Sequence, residues 1–139
     1  MTLPGGLAML PVAGDMARPD SPGRAETCPG WVLLRRPVAA LTRQLSAGGR
    51  ALYIVGETFG GHGIQEVAGW LDGEPWYGPC GTSDTEADLE PGYRLARGRD
   101  SAINAALRAL GVRAAPGQDE YETIGLTRHR YTEDWTADA

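Results

Sequence analysis

The sequence predicts a two-layer α+β fold in which an antiparallel β-hairpin or three-stranded sheet packs against helices. Two β-type runs, Leu52-Tyr53-Ile54-Val55 and Ile64 to Leu71, flank the glycine-rich stretch Phe59-Gly60-Gly61-His62-Gly63, which is the pattern of a hairpin. Ile103, Ala106, Leu107 and Leu110 recur at helical spacing ahead of Gly111, so one stripe of a helix is set to be buried. A helical pattern precedes the extended runs and a helical pair follows them, and together these make the two layers.

Taken in order, residues 1–30 are rich in Pro, Gly, Ala and small polar types without a sustained period. They read as a flexible leader whose scattered apolar side chains do not offset the entropy of ordering. A single α+β domain is expected over residues 31–139. Trp31-Val32-Leu33-Leu34 is apolar but too short to assign by period, and reads as an edge strand or as the lead-in to a helix. Pro37 suits a first helical position, Val38, Leu41 and Leu45 form a stripe, and Gly48-Gly49 supplies a stop.

The run Leu52 to Val55 is β-branched and aromatic, as a strand covered on two sides requires. Phe59 closes it, and the returning strand places Val67, Trp70 and Leu71 before Asp72-Gly73. From Gly73 to Pro91 the prolines, Cys80 and most of an acid cluster predict a long irregular surface connection, with a third strand in Gly92 to Ala96. Asp100 or Ser101 is placed to cap the helix that ends at Gly111. Asp119 is placed to cap a short helical turn through Tyr121 and Ile124, and Trp135 to anchor the tail against the body.

With 139 residues and ordinary hydrophobic content the chain suits one soluble domain. All 13 basic residues are arginine, the mark of a GC-rich coding sequence, so arginine enrichment carries no functional argument. A net charge of −5 disfavours non-specific nucleic-acid or anionic-membrane binding, and no apolar run has the length of a membrane span. Cys28 and Cys80 are far apart and form no Cys-x-x-Cys pair, which points to a reduced, cytoplasmic protein and not to a disulfide framework.

Three regions stand out as candidate sites. Gly60, Gly61, His62 and Gly63 permit positive φ and close approach of a ligand or partner around an imidazole, although a turn between strands lacks the helix that follows a phosphate loop. Arg128, His129 and Arg130, followed by Glu133 and Asp134, could grip a carboxylate or phosphate. The plainer reading pairs those arginines with Asp119, Glu120 and Glu122 to clamp the tail. The third region is the acid-rich connection holding Asp72, Glu74, Asp84, Glu86, Asp88 and Glu90, a surface that can steer a partner or simply be solvated. Glu57 and Glu66 on the two hairpin strands resemble a hydrolytic carboxylate pair, but exposed carboxylates are the commoner occupants of such positions. Neither a catalytic cysteine with a histidine base nor a zinc site from both cysteines and both histidines has supporting spacing. No catalytic residue, metal site or cofactor is assigned.

The order Phe59-Gly60-Gly61-x-Gly63-x-Gln65, then Ile103-Asn104-x-Ala106-Leu107-Arg108-x-Leu110-Gly111-Val112, then Asp119-Glu120-Tyr121 through Gly125-Leu126-x-Arg128 resembles small uncharacterised bacterial proteins of this length. The resemblance spans residues 31 to 135 and implies no established activity, fold or ligand. In size and style the chain is similar to immunity proteins encoded beside toxins, an analogy of type. The sequence therefore leads to a non-enzymatic, immunity-like protein that binds and blocks a protein partner of unknown identity. The alternative is a small enzyme or ligand-binding protein with a pocket lined by His62, His129 and Arg128 or Arg130. A homodimer through an exposed hairpin edge is a third reading.

Overall fold

The computed structural model describes residues 1–12, 27–59, 62–86 and 91–137. Strands β1 (Arg50–Phe59), β2 (His62–Leu71), β3 (Glu74–Ser83) and β4 (Tyr93–Leu95) form one sheet in sequential order. The first three are antiparallel neighbours, and β4 runs parallel to β3. Helices α1 (Arg36–Leu45), α2 (Ala102–Leu110), α3 (Glu120–Thr123) and α4 (Thr132–Ala137) complete an α+β fold with a sheet against helices. Among the described residues no helix is long and apolar enough to cross a membrane.

The hairpin register pairs Ile54 with Val67 and Val55 with Glu66. Alternation therefore sends Leu52, Ile54 and Val67 to one face, and Tyr53, Val55, Glu66 and Ala68 to the other. On the first face Val67 is fully buried with Ala102, Ile103, Ala106 and Leu107 of α2, the stripe that the helical period predicts. Burying these side chains stabilises the fold by about 1.5–3 kcal/mol for each large one. Ile124, Leu126 and Trp135 join the same core, so Trp135 does anchor the tail. Gly111 ends α2 at φ 109°, and Asp119 makes a full capping box with Glu122 at the start of α3.

Several expectations are corrected. The stretch read as a long connection contains β3, because Asp72 and Gly73, at φ 51° and 82°, form the two-residue turn that favours Asp-Gly. Pro75 and Pro79 are tolerated because β4 reaches only Gly81, Thr82 and Ser83, leaving the proline portion of β3 unpaired on its outer side among the described residues. The buried face of α1 is Val38 and Thr42, continuing into Ser46, while Leu45 is 55% exposed. Apolarity misled here because the hydroxyls are satisfied internally: Thr42 Oγ1 donates to the Val38 carbonyl and Ser46 Oγ to the Arg43 carbonyl.

Residues 1–12, expected within a flexible leader, fold back on the body, with Leu3 in the core and Met1, Leu7 and Met9 packed against it. Residues 13–26 lie outside the described residues. Trp31 to Leu34 is neither an edge strand nor part of a helix. Cys28-Pro29-Gly30-Trp31 makes a turn closed by the Trp31 N–H on the Cys28 carbonyl, with Gly30 at φ 81°, the proline and glycine positions of a type II turn.

Candidate functional site

That turn leads into a buried polar centre built on Glu66. Glu66 sits in the middle of β2 and is 1% exposed. Its Oε1 accepts from the Val32 N–H at 2.6 Å, and its Oε2 from the Leu33 and Leu34 N–H groups at 2.9 and 2.8 Å. The Tyr93 hydroxyl also donates to Oε1. Glu66, Gly81 and Tyr93 occupy one row across β2, β3 and β4, and the Tyr93 ring lies over Gly81 so closely that a Cβ there would stand 2.5 Å from it. A carboxylate that accepts from these four donors anchors the loop to the sheet.

Glu57 shares the hairpin face of Glu66 by register but is exposed, so the two are not an equivalent pair. Burial pushes the Tyr53 phenol well above its ordinary range, and the nearby Glu66 and Glu57 charges add to this. The Cys28 thiol is also raised, by burial first, with the Arg36 charge opposing; this holds it as a thiol and not as a nucleophilic thiolate. Cys80 packs against the α2 core on the other side of the sheet, and both cysteines are free. Among the described residues, no group of three or more His, Cys, Asp and Glu is arranged to hold a metal ion.

The concave feature lies at the opposite end of the hairpin from the Asp72-Gly73 turn. An open cleft of about 550 Å³ is bordered by His62, Gln65, Thr82, Asp84, Arg97 and Ser101, among others. His62 and Gly63 are the first residues of β2 and not part of the turn, as the sequence had implied. The reason is a reciprocal pair: the Gly63 N–H donates to Asp84 Oδ1 at 2.9 Å, and the Asp84 N–H to the Gly63 carbonyl at 3.1 Å. Gly60 and Gly61 lie outside the described residues, as do Asp88 and Glu90.

Arg97 enters the cleft from the segment after β4, its Nε donating to the Asp84 carbonyl at 2.7 Å. Ser101, just ahead of α2, also borders the cleft. Ser101 occupies the N-cap position without a side-chain cap bond, against the expectation for it and for Asp100. Instead, the Ala102 N–H donates to Thr82 Oγ1 at 3.0 Å and the Ile103 N–H to Gln65 Oε1 at 3.1 Å. The sheet thus caps the helix, satisfying donors that a helix start leaves open. No local pattern marks Thr82 or Arg97, because their roles depend on contacts across the sheet.

The tail candidates do not join the cleft. Arg128 stacks over the Trp135 ring at 5.0 Å, His129 meets the same ring edge-on at 4.7 Å, and Arg130 lies over Tyr131 at 5.6 Å. Glu133 and Asp134 are exposed in the first turn of α4. None of these five residues borders the cleft, so the pocket expected from His62, His129 and Arg128 or Arg130 is not assembled. The tail clamp with Glu120 also falls to another residue, since Arg108 Nη1 of α2 makes that bond at 2.8 Å. Arg108 further donates to the Arg99 carbonyl.

Asn104, which the sequence marks only as one letter of a motif, is a hub. Its Nδ2 donates to the Gly98 carbonyl and to Asp119 Oδ2, and its Oδ1 accepts from the Tyr121 N–H. These bonds join α2, the approach to α2 and α3, so the Asn104 and Asp119 portions of the motif pattern are structural ties. In comparison with known proteins, no protein family, no curated protein and no solved structure matches this chain.

Proposed function

We propose that this protein is a non-enzymatic, immunity-like interaction protein that binds and blocks a protein partner with the end of the sheet that carries His62. One observation supports this reading above the others. His62 and the Asp84 start of the acid-rich connection, two regions of separate interest in the sequence, border one concave surface together with Arg97. A surface carrying both signs of charge favours selective docking through complementary charges. The proposed setting is the cytoplasm, where the two free thiols stay reduced.

A photo-crosslinking residue in place of His62, with a control in place of the exposed Gln44 on α1, tests the face. The partner that crosslinks at position 62 is then purified and titrated. Arg97→Ala and His62→Ala should each weaken binding by about tenfold, and stoichiometric protein should suppress the partner's activity. Crosslinking only at position 44, or affinity unchanged in both variants, removes this reading. A second reading, small-ligand binding in the same cleft, is favoured by its volume of about 550 Å³, which falls within the range of small-molecule sites. Homodimerisation is a third. It is supported by β1, ten residues long and paired on one side only among the described residues, and a solution mass at the monomer value removes it.

A further inference from the structure

We propose that residues 1–9 are a detachable plug on an apolar seat of the body, and that the seat takes the same hairpin from a second copy of the chain. The inference is independent of the His62 face.

Residues 1–9 close on themselves. Thr2 and Ala8 form a β-bridge, the Leu3 N–H donates to the Leu7 carbonyl at 2.7 Å, and the Met9 N–H to the Met1 carbonyl at 2.9 Å. The chain reverses through Pro4-Gly5-Gly6, where Gly5 and Gly6 stand at φ 81° and 75°, values that glycine adopts without strain. The side chains of this small hairpin alternate. Met1, Leu3, Leu7 and Met9 pack on the body, and Thr2, Pro4, Ala8 and Leu10 are exposed. Leu3 is 7% exposed and belongs to the core that holds Val67, Ala106 and Trp135.

The contact has no polar part. Among the described residues, no hydrogen bond or ion pair joins residues 1–12 to the rest of the chain, and the hairpin pairs with no strand of the sheet. The Cys28–Leu34 loop, by contrast, is held by three amides on Glu66, and α3 by Asn104. Lifting the hairpin therefore orphans no donor or acceptor of the body. It uncovers apolar surface, which an equally apolar hairpin of the same shape covers again. Met1 and Met9 add side chains that adapt to an irregular seat.

The occupant that the fold shows to fit is the sequence of residues 1–9, and a second copy supplies an identical one. Residues 10–26, 17 in number, separate the hairpin from Thr27. A chain of that length spans up to about 55–60 Å, beyond the width of about 35–40 Å of a domain this size, so the hairpin can reach a neighbouring body. Attachment gives the hairpin an effective concentration of about millimolar at its own seat. Reciprocal exchange therefore sets in near that protein concentration.

Three measurements on the full chain test this. In amide hydrogen exchange, Leu3 and Met9 should exchange at least about tenfold faster than Val67 and Ala106; one common rate for all four would overturn the plug. A fluorescent peptide of residues 1–10 is next titrated against the parent and against Leu3→Asp, whose own hairpin is unseated. The variant should bind one peptide saturably, and the parent at least about tenfold more weakly because its seat is filled. Equal affinity in both, absence of binding to the variant, or loss of the variant's folded circular dichroism signal would overturn the proposal, since the body must stand without its plug. In sedimentation, the parent's mass should rise toward the dimer between about 0.1 and 5 mM, and that of Leu3→Asp should not. A parent that stays monomeric throughout overturns exchange with a second copy, and an equal dimer in Leu3→Asp assigns the association to another surface and overturns it too.

Discussion

Replacing Glu66 by glutamine changes one atom and tests the arrangement that ties the Cys28–Leu34 loop to the sheet. Oε1 and Oε2 each accept from two donors: Val32 N–H and Tyr93 O–H on the first, Leu33 and Leu34 N–H on the second. An amide in that space turns one acceptor into a donor, so at least one main-chain N–H then faces an N–H group whichever way the side chain is rotated. Hydrogen bonds to a charged group contribute about 1.5–3 kcal/mol each, and an orphaned buried donor costs about 1–3 kcal/mol. Glu66→Gln should therefore destabilise the protein by about 3 kcal/mol, and Glu66→Ala, which orphans all three amides, by about 5 kcal/mol. Those losses compare with a total of about 5–15 kcal/mol for an ordinary domain.

Urea unfolding followed by far-ultraviolet circular dichroism and by tryptophan fluorescence measures the loss, Trp31 reporting from within the loop. Hydrogen exchange at Val32, Leu33 and Leu34 localises it. Glu57→Gln, on the same face but exposed, is the control and should stay within about 0.5 kcal/mol of the parent. If Glu66→Gln unfolds at the parent's midpoint with the same slope and leaves the three amides protected, the carboxylate is not what holds the loop.

Other consequences follow from neighbouring geometry. Gly81→Ala puts a methyl where the Tyr93 ring lies, so it should cost about 1–3 kcal/mol and release Tyr93 from Glu66; a crystal structure with both residues unmoved would contradict this. Arg108→Ala deprives the 5%-exposed Glu120 side chain of its cation. Because Arg108 itself is 37% exposed, solvent screening reduces the expected loss to about 1–2 kcal/mol, measured as a lower urea midpoint. The Tyr53 phenol, raised first by burial and then by the Glu66 and Glu57 charges, keeps its proton in the folded state when the unfolded chain loses it at about pH 10. Its contribution is complete below that pH and is lost as pH rises above it. Thermal melts at pH 8 and 11 should therefore converge more closely for Tyr53→Phe than for the parent, and equal losses in both proteins would refute the assignment.

Elements built from neighbours in sequence were legible in advance. The α2 stripe from Ile103 to Leu110 with its Gly111 stop, the β1–β2 hairpin, the Asp119 cap and the apolar anchor Trp135 each state their environment within a few residues. Strand β3 was missed although Asp72-Gly73 signalled it, because the prolines at 75 and 79 argue against an interior strand unless the shortness of β4 is known. His62 proved to border a cleft, whereas Arg128, His129 and Arg130 are grouped by sequence around the aromatic rings of their own tail.

By itself, then, the sequence determined the class of fold, the hairpin and the principal helix, since periodicity and turn chemistry act over spans of a few residues. Only the tertiary structure decided what the polar residues do. Glu66 meets amides 32 to 34 residues away in the chain, and Ser101 reaches its cleft beside Thr82 and Arg97. A carboxylate or hydroxyl looks the same in sequence whether it is solvated or hydrogen-bonded in the interior, because desolvation and hydrogen-bond supply are set by whatever the fold brings against it.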